Sequence, residues 1–310
     1  MDRINNTKLH KMKKTLLLLR KYVTIFLIDF GILLRPQRKG VMIIEESEWH
    51  YPFFNCDFLR TIMSQVLAVL RSGYTPYIKL NNRKEDETNW DTFFAQPFNT
   101  SLNADECQKI GYLPSTFSYS YYFQTPFHKH HYKRWCKIFQ KLVVLNERTK
   151  KYIDDEYARI IDPNMRILGV LCRGTDYIGY KGLPIQPKIE EVIKDCKVWM
   201  TTYNYEKIYL ATESKEIYEQ FITAFPEKII TNKRDYYDQK MRDEELKLIG
   251  EVHFNRANDN YLKGLHYLSS LVILSRCTAF IAGNCGGTLF SLLYNNRRFE
   301  RFYIYNIGKY

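Results

Sequence analysis

From Met165 onward the chain alternates short apolar runs with segments of helical period, and this alternation restricts the fold more than any other feature. Met165–Cys172 (MRILGVLC) reads as a buried strand. Gln186–Thr202 places Ile189, Val192, Ile193, Cys196 and Trp199/Met200 at helical spacing. Lys207–Ala211 (KIYLA) is a strand, Lys215–Phe225 a helix stopped at Pro226, and Lys228–Thr231 a short strand. Tyr261–Ser275 is a helix, Ala279–Ala282 (AFIA) a strand, Thr288–Tyr294 a helix and Phe302–Asn306 (FYIYN) a final strand. Strand–helix alternation of this kind predicts an α/β chain with a mostly parallel sheet and helices on both faces.

The first half begins in the same way. Val41–Glu46 (VMIIEE) reads as a strand and SEWHYPFFN as a turn. Asp57–Arg71 is a helix through Leu59, Ile62, Met63, Val66, Leu67 and Leu70, ended by Ser72-Gly73, and Tyr74–Leu80 is a second strand. Residues 81–126 are loop-rich and Phe127–Ile161 is mostly helical. His128, His130 and His131 have no nearby carboxylate or cysteine, so an exposed or partly packed helix start is favoured there over a metal site. With 310 residues at about 150 per domain, two domains are expected. The break is placed near Asp162-Pro163, giving units 41–164 and 165–310 behind a distinct segment 1–40.

That leading segment holds most of the charge. The whole chain carries 46 Lys+Arg and 34 Asp+Glu, a formal +12; residues 1–40 hold ten cations against Asp2 and Asp29, which is +8 of that total. The basic balance therefore argues for an anionic surface near the N-terminus and against a nucleic-acid groove over the body. Thr15–Leu34 contains thirteen large apolar residues, worth roughly 0.3–0.6 kcal/mol each at a bilayer centre. Arg20, Lys21 and Asp29 would each cost roughly 2.5–3.5 kcal/mol there, so residues 8–39 are read as a basic-apolar helix lying on a membrane surface. A buried core helix and a true span are the alternatives, and no small-residue cleavage site marks a secretory signal. Seven cysteines, an odd number without a CxxC, suggest neither a disulfide framework nor a zinc site, and point to a reducing cytosol. The 45% apolar and 26% charged composition excludes a disordered chain, a collagen-like chain and a small disulfide scaffold.

In a doubly wound sheet ligands bind beyond the carboxyl ends of the strands. Three such ends carry chemistry here. Arg173-Gly174-Thr175-Asp176-Tyr177 follows MRILGVLC: Arg173 suits bidentate bonds to a diphosphate, and Asp176 suits orienting it or accepting a proton. The alternative is an Arg–Asp pair tying the loop. Thr212-Glu213-Ser214 follows KIYLA and can hold a ribose or base edge, or cap the next helix. Gly283-Asn284-Cys285-Gly286-Gly287-Thr288 follows AFIA and leads into a helix, where backbone N–H groups and the helix dipole favour phosphate; the alternative is a tight strand–helix turn. It is neither a P-loop nor a GxGxxG motif. Two phosphate-type loops and one sugar- or base-type loop indicate a nucleotide-diphosphate ligand. Asp-x-Asp is absent, and an arginine with a helix terminus can stabilise a leaving diphosphate without metal, so no metal or further cofactor is expected.

These loops, in this order, resemble the fucosyltransferases that act on core N-glycans and on rhizobial nodulation factors. RGTDY followed by GLPIQPKIEEVI is similar to that family's R-R-x-D-K segment with a downstream H-P-x-x-x-Y/V; KIYLATES resembles V-Y-L-A-T-D-D; NDNYLKGL and LSRCTAFIAGNCGGTLFSLLY resemble its terminal block. The likeness covers about residues 165–310. It implies a GT-B-like architecture of two Rossmann-like domains, GDP-fucose as donor, inversion at the anomeric carbon and no required metal. By resemblance Arg173 binds the donor's β-phosphate with Thr175 beside it, Cys285, Gly286, Gly287 and Thr288 cradle the diphosphate, and Thr212 and Glu213 lie near the nucleotide. The chain differs at several places: Gly174 stands for the second arginine, Tyr177 for the lysine, Leu171 for a histidine, and Cys285-Gly286-Gly287 for Ser-Ser-Gln. Lys181 falls near the position of the family's base.

Inverting transfer needs a group that takes the acceptor's proton. Glu46, Glu48 and His50 of the loop before the Asp57 helix are candidates, with Asp176 as the other. The expected partners are a nucleotide sugar, a glycan or lipid-linked glycan acceptor and a membrane surface, with no nucleic acid. A cytoplasmic enzyme skirting the inner face of a bacterial membrane, in surface polysaccharide or glycolipid synthesis, fits this set. The alternatives are a transferase using another nucleotide sugar and a non-catalytic sugar-nucleotide or glycan binder.

Overall fold

The structure is a computed structural model that describes residues 15–16, 40–45, 54–79, 88–98, 108–110, 129–174, 181–237 and 252–310. The first half contains a three-stranded parallel sheet, order β2-β1-β3, from β1 (Val41–Ile44), β2 (Thr75–Ile78) and β3 (Gln108–Ile110). Around it lie α1 (Cys56–Arg71), α2 (Trp90–Phe93), α3 (Lys129–Leu142) and α4 (Glu147–Ile160). In α1 the residues Leu59, Ile62, Met63, Val66, Leu67 and Leu70 are buried, as their spacing predicts.

The second half is a five-stranded parallel sheet, order β6-β5-β4-β7-β8, from β4 (Ile167–Leu171), β5 (Lys207–Ala211), β6 (Ile229–Ile230), β7 (Ala279–Gly283) and β8 (Arg301–Tyr305). Its helices are α5 (Ile189–Tyr203), α6 (Lys215–Ala224), α7 (Asp259–Leu274) and α8 (Gly286–Asn295). All five residues of β4 are buried because both faces are covered. Leu168 and Val170 join Val192 and Cys196 of α5 and Ile217 and Phe221 of α6 on one face. Ile167 and Leu171 join Leu268, Leu271 and Val272 of α7 and Phe290 of α8 on the other. The expected α/β architecture with two parallel sheets is the one found.

Most boundaries differ from the sequence expectation by one or two residues. The largest change is in Phe127–Ile161, which divides into α3 and α4. Asn146 makes the division: its side chain accepts from Thr149 N at 2.9 Å to cap α4 and donates through Nδ2 to Asp91 O at 2.8 Å. Within the loop-rich region, α2 is held by a capping box between Asn89 and Thr92, and β3 pairs with Met42–Ile44.

One aromatic joint unites the halves. Phe54 packs with its ring centroid 6.1 Å from Phe93, 5.4 Å from Phe94, 6.1 Å from Tyr267 and 6.3 Å from Phe290. Phe139 of α3 meets Phe290 at 5.3 Å. A single buried cluster thus runs from α1 and α3 into α7 and α8. Asp162-Pro163 lies in the turn from α4 to β4, where Met165 N donates to Asp162 O at 3.0 Å. None of the described cysteines is in a disulfide. Among the described residues no helix is long and apolar enough to cross a membrane. The surface helix expected over residues 8–39 lies outside the described residues apart from Thr15 and Leu16.

Candidate functional site at the carboxyl ends of β4 and β7

From β4 the chain builds β5 and β6 to one side, then returns to lay β7 and β8 on the other. The topological switch therefore falls between β4 and β7, the place where ligands bind in open α/β sheets. Leu171 is level with Ala282 in the β4–β7 ladder. Arg173 and the Gly283–Thr288 turn thus leave adjacent strands at the same edge.

Arg173 is held from the β5 side. Its Nη1 lies 3.3 Å from Glu213 Oε1, and the same oxygen accepts the Gly174 N–H at 3.3 Å. The Glu213 side chain is only 9% exposed and that of Arg173 18%, so the ion pair is poorly screened. The sequence reading gave Asp176 an orienting or proton-accepting role and Glu213 a nucleotide contact; among the described residues Glu213 is a carboxylate that pairs with Arg173. Thr212 is buried, its Oγ1 accepting from Ser214 N at 3.2 Å. Ser214 caps α6, accepting from Ile217 N at 3.3 Å and bonding Glu216 at 2.7 Å. A Cβ on Gly174 would stand 2.5 Å from Ile217 Cδ1 and 3.0 Å from Ser214 Cβ. The start of α6 therefore crowds the position of Gly174.

The turn after β7 enters α8 at Gly286, two residues before the apolar signal begins. Cys285 is the N-cap in an extended conformation, and no side chain caps the first N–H groups. Thr288 Oγ1 donates to Gly283 O at 2.5 Å and lies 3.3 Å from Cys285 Sγ, which closes the turn. Thr288 and Cys285 are buried and spend their polar atoms on each other and on the backbone.

Glycine is required here by the chain's own packing. A Cβ on Gly286 would lie 2.6 Å from Cys56 Cβ, and one on Gly287 would lie 3.2 Å from Tyr267 Oη and 3.3 Å from Leu171 Cδ2. Cys56 opens α1 and Gly286 opens α8, so two helix N-termini meet at this point. Their partial positive charges add to that of Arg173 and make the edge attractive to an anion.

Tyr267 connects the two loops. Its hydroxyl lies 3.2 Å from Cys56 Sγ. Burial pushes its pKa well above 10.0 and Cys56 adds to the shift, while the Arg173 guanidinium acts against it. The Tyr267 hydroxyl thus feels the charge of Arg173 and stands over Gly287. Gln186 closes the edge. Its Nε2 donates to Pro184 O at 3.1 Å and to Asn284 O at 3.0 Å, and its amide covers the Cα of Gly283. The segment before it is pinned by the chain's last residues: Ile185 N donates to Gly308 O at 2.9 Å and Tyr310 N to Leu183 O at 3.0 Å.

Thr175, Asp176, Glu46, Glu48 and His50 lie outside the described residues. Cys56, Gln186 and Tyr267 were not singled out from sequence. Their signals were faint: a cysteine just ahead of an apolar helix, a Gln-Pro at a helix start, and a tyrosine within an apolar run.

No protein-family model matches this chain, and no curated protein does. Among solved structures, NodZ alpha-1,6-fucosyltransferase co-crystallized with GDP aligns at a TM-score of 0.44 and 13% identity, covering 82% of this chain and 92% of that one. Fucosyltransferase NodZ from Bradyrhizobium gives 0.46 and 13% over 82% and 93%. POFUT1 in complex with GDP gives 0.38 and 9% over 88% and 75%.

Proposed function

We propose that this chain is a glycosyltransferase that moves fucose from GDP-fucose to a glycan acceptor, with inversion and without a metal. The supporting observation is a shared sheet edge: a guanidinium paired with Glu213 and the uncapped N-terminus of α8 follow the adjacent strands β4 and β7 at the switch point. In the proposed step a base removes the acceptor's hydroxyl proton and that oxygen attacks the anomeric carbon. The bond to the diphosphate breaks as its electron pair moves to the β-phosphate oxygen. Arg173 and the helix N–H groups stabilise that charge. Asp176, Glu48 and His50 are the candidate bases.

On this reading residues 165–310 form the donor unit and 41–164 the acceptor side. The basic-apolar segment 8–39 rests on the inner face of a bacterial membrane, and the acceptor belongs to surface polysaccharide or glycolipid assembly. The test is a thermal-shift screen of the full chain with GDP, UDP, ADP and CMP, followed by GDP release from GDP-fucose. Selective stabilisation by GDP, lost in Arg173→Ala, is expected, since a ligand bound only to the native state raises stability by mass action. Stabilisation by a different nucleotide would change the donor. GDP binding without any transfer would favour a binding protein, and no response to any nucleotide would remove the donor site.

A further inference from the structure

The two ends of the Gln186 amide are treated unequally. Its Nε2 donates to two carbonyl oxygens, Pro184 O at 3.1 Å and Asn284 O at 3.0 Å. Its Oε1 is buried and has no hydrogen-bond partner among the described residues. That oxygen lies over Gly283, where an added Cβ would come within 2.1 Å of it. Reversing the amide would set Oε1 against the two carbonyls, so the donors fix the orientation and the bare oxygen is the cost.

The surrounding chain holds the side chain in this pose. Ile185 N donates to Gly308 O at 2.9 Å, Tyr310 N to Leu183 O at 3.0 Å and Gly182 N to Tyr310 O at 3.1 Å, and Pro184 is bridged to Lys309. Pro187 follows and favours an extended backbone at Gln186. Gly283, the last residue of β7, lacks the carbon that would displace the amide.

The effect on the turn follows from peptide geometry. Thr288 Oγ1 draws in Gly283 O and Gln186 draws in Asn284 O, so both carbonyls that lead into α8 are bound by side chains. None of the described peptide bonds is cis. In a trans peptide the C=O and N–H point opposite ways, so holding Asn284 O toward Gln186 turns the Cys285 N–H away from it. The partial negative charge of that carbonyl is also satisfied beside the uncapped N-terminus of α8, where it would otherwise oppose an anion.

We propose that Gln186 is a positioning residue for the diphosphate: it aims the Cys285 N–H at the anion and keeps the Asn284 carbonyl from facing it. This inference rests on the donor-site reading above. The test is calorimetric GDP binding at pH 8, where an ordinary imidazole is neutral. The proteins are the full-length wild type, Gln186→Met, Gln186→His, Gln186→Ala, Gly283→Ala, the Gly283→Ala/Gln186→Ala double variant and Arg173→Ala. Gln186→Met fills the space without a donor and should bind GDP about tenfold more weakly, on the scale of one hydrogen bond. Gln186→His keeps an N–H at similar reach and should recover most of that loss. Gly283→Ala should weaken binding to the same degree by displacing the amide, and should add nothing once residue 186 is alanine. Wild-type GDP affinity in Gln186→Met, alongside loss in Arg173→Ala, would overturn this role and leave the donor site standing. Equal losses in Gln186→Met and Gln186→His, or fully additive losses in the double variant, would overturn it as well. Failure of the wild type to bind GDP or any other nucleoside diphosphate would defeat both readings together.

Discussion

One carboxylate oxygen of Glu213 faces both the Nη1 of Arg173 and the N–H of Gly174, each at 3.3 Å. Side chain and backbone of two successive residues thus meet one group in the loop that follows the neighbouring strand. Glu213→Ala should lower stability by about 3 kcal/mol, because it leaves a mostly buried cation and a backbone donor behind. Glu213→Gln keeps an acceptor for Gly174 and should lose less. Urea denaturation of the two variants measures the difference.

The contact between α1 and α8 predicts an asymmetric rescue. Gly286→Ala places a Cβ 2.6 Å from Cys56 Cβ and should cost about 1–3 kcal/mol. Cys56→Ala retains the offending carbon and should not relieve the clash, whereas Cys56→Gly should recover part of the loss. A double-mutant cycle with each partner reads the coupling.

Phe54 joins the halves and is fully buried. Phe54→Ala should cost about 3–5 kcal/mol. Because the cluster is continuous, near- and far-ultraviolet circular dichroism should still lose signal in one coincident transition. Two separated transitions in the wild type would contradict a common core.

His266 gives a pH dependence with a defined sign. Burial lowers its pKa below 6.5; Asp235, 3.5 Å from Nδ1, works against that, and Arg256 and Lys233 reinforce it. The unfolded chain therefore takes the proton first. The stability contributed by the neutral ring is complete above the unfolded value and falls as pH drops through the folded one. Denaturant midpoints should decline between about pH 7.5 and 5, and His266→Gln should flatten that decline.

Much of the second sheet was readable because its strands are buried on both faces and therefore uniformly apolar. KIYLA is β5 to the residue, and AFIA falls one short of β7. β3 gave no such signal: Gln108-Lys109-Ile110 becomes a strand through pairing with Met42–Ile44, a tertiary effect. In the site, Arg173 and the glycine turn were visible as polar chemistry at strand ends. The pairing of Arg173 with Glu213 was not, since choosing Glu213 requires knowing that β5 lies beside β4. Thr288 reads as a ligand for phosphate until the turn closes and its hydroxyl reaches Gly283 O.

A molecule whose two sheets are stitched through Phe54, Phe139 and Phe290 cannot open like a book at little cost. Prising them apart would wet three rings, at roughly 25 cal/mol for every Å² of apolar surface bared. The edge that carries Arg173 and Gly287, on adjacent strands above that joint, is accordingly shaped during folding.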